Sequence, residues 1–281
     1  MKINLLAKTG FAIVMAILAI SCNRGTNASA VQSAAQSVSA VPYTIEVGGS
    51  TSVTPLMEMF ADEYSKSKSH IKVNINGTGS GDGITNAGVT YQIGMSSRDL
   101  TPAEQGRGLN AEIVAIDGIA VIINKNNSVS SLSIEQIRGI YTGEITNWNQ
   151  VGGSAGAIAV VSREAGSGTR GAFEELVGFQ GKLLAGANES TSTGAIKAGI
   201  AQNPHAIGYI SLGSVDDSIK AISIGGVAPL VANVTNGSYK IARPFIVLTG
   251  NNVHAESKAF IEWMLSPAGQ AIVSKSWIKV R

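Results

Sequence analysis

Residues 43–56 read YTIEVGGSTSVTPL, and the order of residue types in that stretch sets the fold. Tyr43 to Val47 is strand-like. Two glycines and three hydroxyl residues, Ser50, Thr51 and Ser52, follow it. Thr54-Pro55 then marks a helix start, with a capping hydroxyl ahead of a proline at the first helical position. A strand, a turn rich in glycine and hydroxyls, and a helix make one βα unit.

The same order recurs twice. GTGSGDG (Gly77 to Gly83, with Ser80 and Asp82) follows the run Ile71 to Ile75. REAGSGT (Arg163 to Thr169, with Ser167 and Gly168) lies between the β-branched Ala157 to Val161 and a helix-like Arg170 to Leu176. Other short β-branched runs at 113–116, 119–123, 207–210 and 245–248 alternate with helix-like stretches at 102–105, 134–140, 193–202 and 256–265. Thr101-Pro102 repeats the cap-and-proline signal, and Ser133 to Gln136 fits a capping box. This alternation predicts an α/β fold with largely parallel sheets, and no internal repeat interrupts it.

Ahead of this body, Lys2 and Lys8 precede an uncharged apolar run from Phe11 to Ile20. The run is too short for a permanent span, and small and polar residues follow it, so residues 1–21 read as a secretion signal. Cys22 is the single cysteine, so an internal disulfide is impossible. Residues 22–41, rich in Ser, Ala, Gln and Asn with one charge at Arg24, read as a flexible tether. The body from Pro42 onward is long enough for one large or two modest domains. Once Lys2 and Lys8 leave with the signal, basic residues equal the 19 acidic ones. That balance argues against nucleic acid as a partner and against steering by net charge. An anionic ligand would have to be met by local groups inside a cleft.

The three clusters supply such groups. A helix N-terminus presents unpaired backbone N–H groups and the positive end of its dipole. Glycine lets the backbone come close, Ser and Thr add hydroxyl donors, and Arg163 adds a planar fork suited to phosphate oxygens. Three such termini converging from two lobes would enclose a tetrahedral oxyanion.

From Tyr43 to the C-terminus the chain resembles the substrate-binding protein of the bacterial phosphate ABC transporter. The resemblance is carried by Gly49 to Ser52 with Pro55-Leu56, by Gly77 to Ile84, by Ile93 to Leu100 (IGMSSRDL), and by Ala115 to Val121. Ile140 to Gly153 (IYTGEITNWNQVGG), Arg163 to Thr169 and Ala206 to Ser211 (AIGYIS) continue it. It implies a type II periplasmic-binding-protein fold: two lobes, mixed sheets flanked by helices, and a hinge of two crossing strands near Asp117-Gly118 and Arg243-Pro244. Lobe I would be 42–117 and 245–281, and lobe II 118–244. It implies a monomeric binding protein rather than an enzyme, with no cofactor, whose partners are inorganic phosphate and a membrane permease. Leu18 to Cys22 resembles a lipobox, with Ala19 where leucine is commonest. Acylation of Cys22 would then tie the protein to the outer face of the cell membrane.

Carried over by position, Ser50, Thr51 and Ser52 donate from the first cluster and Ser80 from the second. Arg163, Ser167, Gly168 and Thr169 close from the other lobe. Better-known members have an aspartate where Ser97 stands, an aromatic residue at Ser52, and an aspartate where this chain has Ala165. Asp82 is then the nearest candidate to accept a ligand proton, and Ser97 and Arg98 are candidates for direct contact. A receptor for sulfate or molybdate is the alternative within binding. A serine hydrolase is a more distant alternative: Gly152 to Gly156 matches G-x-S-x-G, yet it precedes a strand where a nucleophile elbow needs a helix. His70, His205 and His254 are remote from Ser154 in sequence.

Overall fold

The computed structural model describes residues 41–281. The secretion segment, Cys22 and the tether up to Ala40 lie outside the described residues. Strand β1 (Tyr43–Gly49) lies parallel to β2 (Ile71–Gly77) and β3 (Ile93–Ser96). The crossovers are helices α1 (Thr54–Ser67) and α2 (Ser80–Asn86). The one-turn α3 (Pro102–Gln105) leads into β4 (Asn110–Ile123), a strand of 14 residues. Next come β5 (Ser131–Leu132), α4 (Ile134–Thr142), β6 (Ala159–Arg163), α5 (Gly168–Val177), β7 (Asn188–Ser190), α6 (Thr193–Gln202) and β8 (Ala206–Ser211). The chain ends with β9 (Lys220–Ala221), β10 (Ser223–Ile224), α7 (Val231–Thr235), β11 (Ala242–Thr249), α8 (Ala255–Met264) and α9 (Pro267–Val273).

Nine strands form one mixed sheet in the order β2-β1-β3-β11-β4-β8-β6-β7, with β9 also on β4; β5 and β10 pair separately. β4 is its pivot. Residues 110–118 of β4 pair antiparallel with β11, and residues 119–123 pair antiparallel with β8. The apolar side chains divide at the same point. Val114 and Ala115 join Ile45, Val47, Leu56, Phe60, Phe245 and Trp277 in one core. Ile119, Val121 and Ile123 join Ile137, Tyr141, Trp148, Phe173 and Tyr209 in another. Each fully buried side chain of this size contributes roughly 1.5–3 kcal/mol, so both cores are substantial.

The sequence pattern shows two apolar runs, 113–116 and 119–123, where the structure has a single strand. The interruption, Asp117-Gly118, is where β4 passes from one core to the other, and Arg243 of β11 stands opposite Asp117 in the register. The capping box expected at Ser133 forms, and Thr101, expected as a cap before Pro102, forms a full capping box with Glu104 as well. Thr54 differs. It is already helical, α1 has no side-chain cap, and the Thr54 hydroxyl instead donates to the Ser50 carbonyl at 3.2 Å.

Candidate anion-binding site

The turn after β1 is built on glycine. Gly49 has φ 132°, a conformation that L side chains rarely adopt, and a Cβ there would collide with the Met95 carbonyl. That close approach brings Ser50 beside Ser97, which follows β3. The Ser50 hydroxyl donates to Ser97 Oγ at 2.9 Å. Ser80, the first residue of α2, completes a trio: its Oγ accepts the Ser97 amide at 3.1 Å and lies 3.3 Å from Ser97 Oγ. All three serines are buried.

Residues of the second core meet this trio and its neighbours. Ser52 Oγ lies 2.8 Å from Thr169 Oγ1 and 3.1 Å from Thr193 Oγ1. Thr51 Oγ1 lies 3.3 Å from Thr193 Oγ1 and accepts the Thr193 amide at 3.3 Å. Gly168 comes so close that a Cβ on it would overlap Ser80 Oγ and lie 2.9 Å from Ser97 Oγ. The Gly81 amide donates to the Gly166 carbonyl at 3.0 Å. The amides of Thr51, Ser80, Gly168 and Thr169 have no acceptor among the described residues. Amides without acceptors, drawn from three chain turns, therefore accompany a buried set of hydroxyls. That arrangement can hold an anion.

Arg163 stands at the end of β6 with its side chain 2% exposed. Its amide donates to the Tyr209 hydroxyl at 3.2 Å, and its carbonyl accepts from Arg170 Nη1 at 2.8 Å. Glu164 takes Nε and Nη2 in a bidentate pair at 2.8 Å each. The Ser190 and Thr191 carbonyls take second bonds from the same nitrogens. Nη1 has no acceptor among the described residues. Glu164, one residue before Ala165, thus supplies this arginine with a carboxylate. The guanidinium is neutralised from one side while one nitrogen stays available. Ser167 is buried beside it, and its hydroxyl accepts the Arg170 amide as the N-cap of α5.

Two expected site residues turn away. Asp82 follows Ser80 by two positions on α2, about 200° around the helix. Its carboxylate accepts from Thr78 at 2.5 Å, Asn86 at 2.7 Å and Tyr91 at 2.9 Å, none of them in the hydroxyl cluster. Those bonds, that from Thr78 above all, hold its carboxyl below the usual range. Arg98 grips both oxygens of Glu104 at 2.7 and 2.8 Å, and this pairing lowers the Glu104 carboxyl to about 2. Leaving a strand, successive side chains point to opposite faces, so Ser97 enters the cluster and Arg98 leaves it.

A family model described as a PBP superfamily domain matches residues 25–268. The chain is also 30% identical over 246 residues to the phosphate-binding protein PstS of Borreliella burgdorferi, spanning 82% of this chain and 88% of that protein. The chain belongs to the PBP superfamily, among the PstS proteins. Two solved structures agree. A candidate phosphate ABC transporter substrate-binding protein from Clostridium perfringens, solved with bound phosphate, is 46% identical with a TM-score of 0.83. It is covered completely by 85% of this chain. An ABC-type phosphate transport receptor from Vibrio cholerae is 37% identical with a TM-score of 0.70, over 84% of this chain and all of that one.

Three features of this PBP-superfamily site escape the motif reading. Thr193 is one, although Thr191-Ser192-Thr193-Gly194 sits between β7 and α6 in the same order as the other clusters. The buried pair of Asp117 and Arg243 supplies the other two. Arg243 Nε and Nη2 donate to Asp117 Oδ2 at 3.3 and 3.1 Å, and the Ser211 hydroxyl donates to Oδ1 at 2.8 Å. Arg243 Nη1 reaches the carbonyl of Ser97 at 3.2 Å, tying the pair to the hydroxyl cluster. Burial raises the Asp117 carboxyl to about 6, against the opposing pull of Arg243 and Ser211. Ser154 and His205 line the same small cavity of about 80 Å³, but no hydrogen bond joins them. The Ser154 loop leads into β6, not into a helix.

Proposed function

We propose that this protein captures inorganic phosphate between two lobes and delivers it to the membrane permease of an ABC importer. One observation carries the reading: unpaired amides of Thr51, Ser80, Gly168 and Thr169 occur with the hydroxyls of Ser50, Ser52, Ser80, Ser97 and Thr169 in one buried place. Neutral donors from turns and helix starts, with Arg163 already matched by Glu164, suit an anion whose charge is to be held without a countercharge of its own. A hydrogen bond to a charged group contributes about 1.5–3 kcal/mol, and micromolar affinity needs only about 8 kcal/mol. The donors in hand exceed that even after desolvation. The relatives from Borreliella, Clostridium and Vibrio, named as phosphate-binding or phosphate-transport proteins, support phosphate as the ligand.

In this reading lobe I is 42–117 with 245–281, and lobe II is 118–244. The division of the two cores along β4 and the β4–β11 pairing support that boundary. The protein acts outside the cytoplasm, held by an acyl chain on Cys22. The apolar run 11–20 ahead of a lone cysteine supports this. Among the described residues no helix is long and apolar enough to cross a membrane, and no group of side chains could hold a metal ion.

Titration calorimetry with phosphate, sulfate and molybdate from pH 5 to 8 tests the proposal. Phosphate is expected to bind, and Arg163→Ala to cost at least ~2 kcal/mol, because it removes a buried charged donor and leaves the carboxylate of Glu164 without its partner. Sulfate binding as tight as phosphate at every pH would transfer the protein to the wider oxyanion class.

A further inference from the structure

Thr193 opens α6, on the opposite side of the cluster from β1, and only 6% of it is exposed. It makes no cap for its own helix, since Ser192 accepts the Ala195 amide in that role. Its polar atoms go elsewhere. The amide donates to Thr51 Oγ1, and the hydroxyl lies within 3.3 Å of Thr51 Oγ1 and 3.1 Å of Ser52 Oγ. Ser52 in turn meets Thr169. Thr51, Thr193, Ser52 and Thr169 therefore form a row of four hydroxyls joined by three contacts.

Proton counting leaves this row one donor to spare. Each hydroxyl carries one proton. Three contacts consume three of the four, so one O–H remains for a partner outside the row. The ends are Thr51 and Thr169, whose own amides are also unpaired. The Thr193 amide adds a fifth donor, spent on the Thr51 oxygen. The row is thus left with one O–H to offer an anion, and both of its end residues set beside it an amide without an acceptor among the described residues.

We propose that Thr193 is a positioning residue of the anion site. It fixes the Thr51 and Ser52 side chains in a row that keeps one O–H for the ligand, and makes the start of α6 a further arm of the clamp. A small residue at position 52 is what allows this, because Thr169 and Thr193 both approach Ser52 Oγ. The proposal rests on the phosphate-capture reading and adds a residue to it.

The test uses the purified full-length protein, with inorganic phosphate followed by calorimetry and stopped-flow. Thr193→Val keeps the shape and the amide while removing the hydroxyl. It is expected to weaken phosphate about tenfold, mostly through faster release, with a ligand-free Tm within about 2 °C of wild type. Thr193→Ser should restore most of the loss. In a Ser52→Ala background, Thr193→Val should cost less than half as much in fold terms, because the pair acts through one contact. Wild-type affinity in Thr193→Val, or the same fold loss in both backgrounds, overturns the role of Thr193 while leaving phosphate capture standing. A wild-type protein that does not bind phosphate overturns both.

Discussion

At position 168 the backbone of α5 touches two serine side chains, and nothing larger than hydrogen fits between them. A methyl there would overlap Ser80 Oγ and press on Ser97 Oγ. Both serines are fully buried and short, so neither can swing aside. The contact joins the start of α5 to α2 and to the residue after β3, outside the apolar clusters, so the collision opposes their meeting and leaves the core packing alone. Gly168→Ala is expected to weaken phosphate at least tenfold, in line with about 1–3 kcal/mol for overpacking, and to leave the ligand-free Tm within a few degrees. Calorimetry and thermal melts decide it; unchanged affinity would mean that the contact at Gly168 is not part of the bound state. That the glycine and hydroxyl clusters fall in βα turns was legible from residue types, while the choice of residues within them came from the resemblance to phosphate-binding proteins. Ser50, Thr51, Ser52, Ser80, Gly168 and Thr169 sit at equivalent points of βα turns, and helix starts aim their donors one way. What the turns could not give was angle. Asp82 is near Ser80 in sequence and nearly opposite it on α2, and Arg98 follows Ser97 on the other face.

Among the elements, β4 and β11 carry the molecule's most demanding electrostatics. Their register sets Asp117 against Arg243 with both side chains at most 1% exposed. A charge pair so deep recovers its desolvation cost only when further hydrogen bonds complete it, here from the Ser211 hydroxyl and to the Ser97 carbonyl. Burial raises Asp117 from its ordinary 3.8 to about 6. A carboxyl with a raised folded value binds its proton more tightly folded than unfolded. Its contribution to stability is therefore complete below pH 3.8 and is lost as pH climbs through about 6. Wild-type stability relative to Asp117→Asn should then fall from about pH 3.8 to just above pH 6, by on the order of 3 kcal/mol at most. Urea melts of the two proteins at several pH values measure it; parallel profiles would place the Asp117 titration elsewhere. The same pair marks the limit of pattern reading at this scale. Two apolar runs broken by Asp117-Gly118 look like two strands, because periodicity sees the polar residue and not the arginine that meets it across the ladder. The short β3 and α2 are equally faint by pattern: Gly94 and Gly83 leave them little apolar periodicity, and they hold together because the two glycines let strand and helix touch, with a Cβ at 94 colliding with the Gly83 carbonyl.

For the molecule as a whole, the question is what brings the two cores together around the cluster. The contacts there between the cores are few and polar: Ser52 with Thr169 and Thr193, Thr51 with Thr193, and the Gly81 amide on the Gly166 carbonyl. Neutral hydrogen bonds of this kind contribute only about 0.5–1.5 kcal/mol each. Meanwhile Thr51, Ser80, Gly168 and Thr169 bring the positive ends of four unpaired amides into the same region, which opposes closure in the absence of an anion. Bound phosphate reverses the sign of that term, so ligand and closure should be coupled. A ligand shifts a two-state equilibrium only through its differential affinity, and a tenfold preference corresponds to about 1.4 kcal/mol. The Gly81 amide is the natural reporter, since its acceptor belongs to the other core. Saturating phosphate should slow its hydrogen exchange more than tenfold, and the amides within β1 and β2 should change far less. In Arg163→Ala at the same total phosphate, the slowing should shrink with the bound fraction and return when phosphate is raised. Equal exchange at Gly81 with and without phosphate, in a protein that calorimetry shows to be loaded, would mean that capture does not depend on the cores closing.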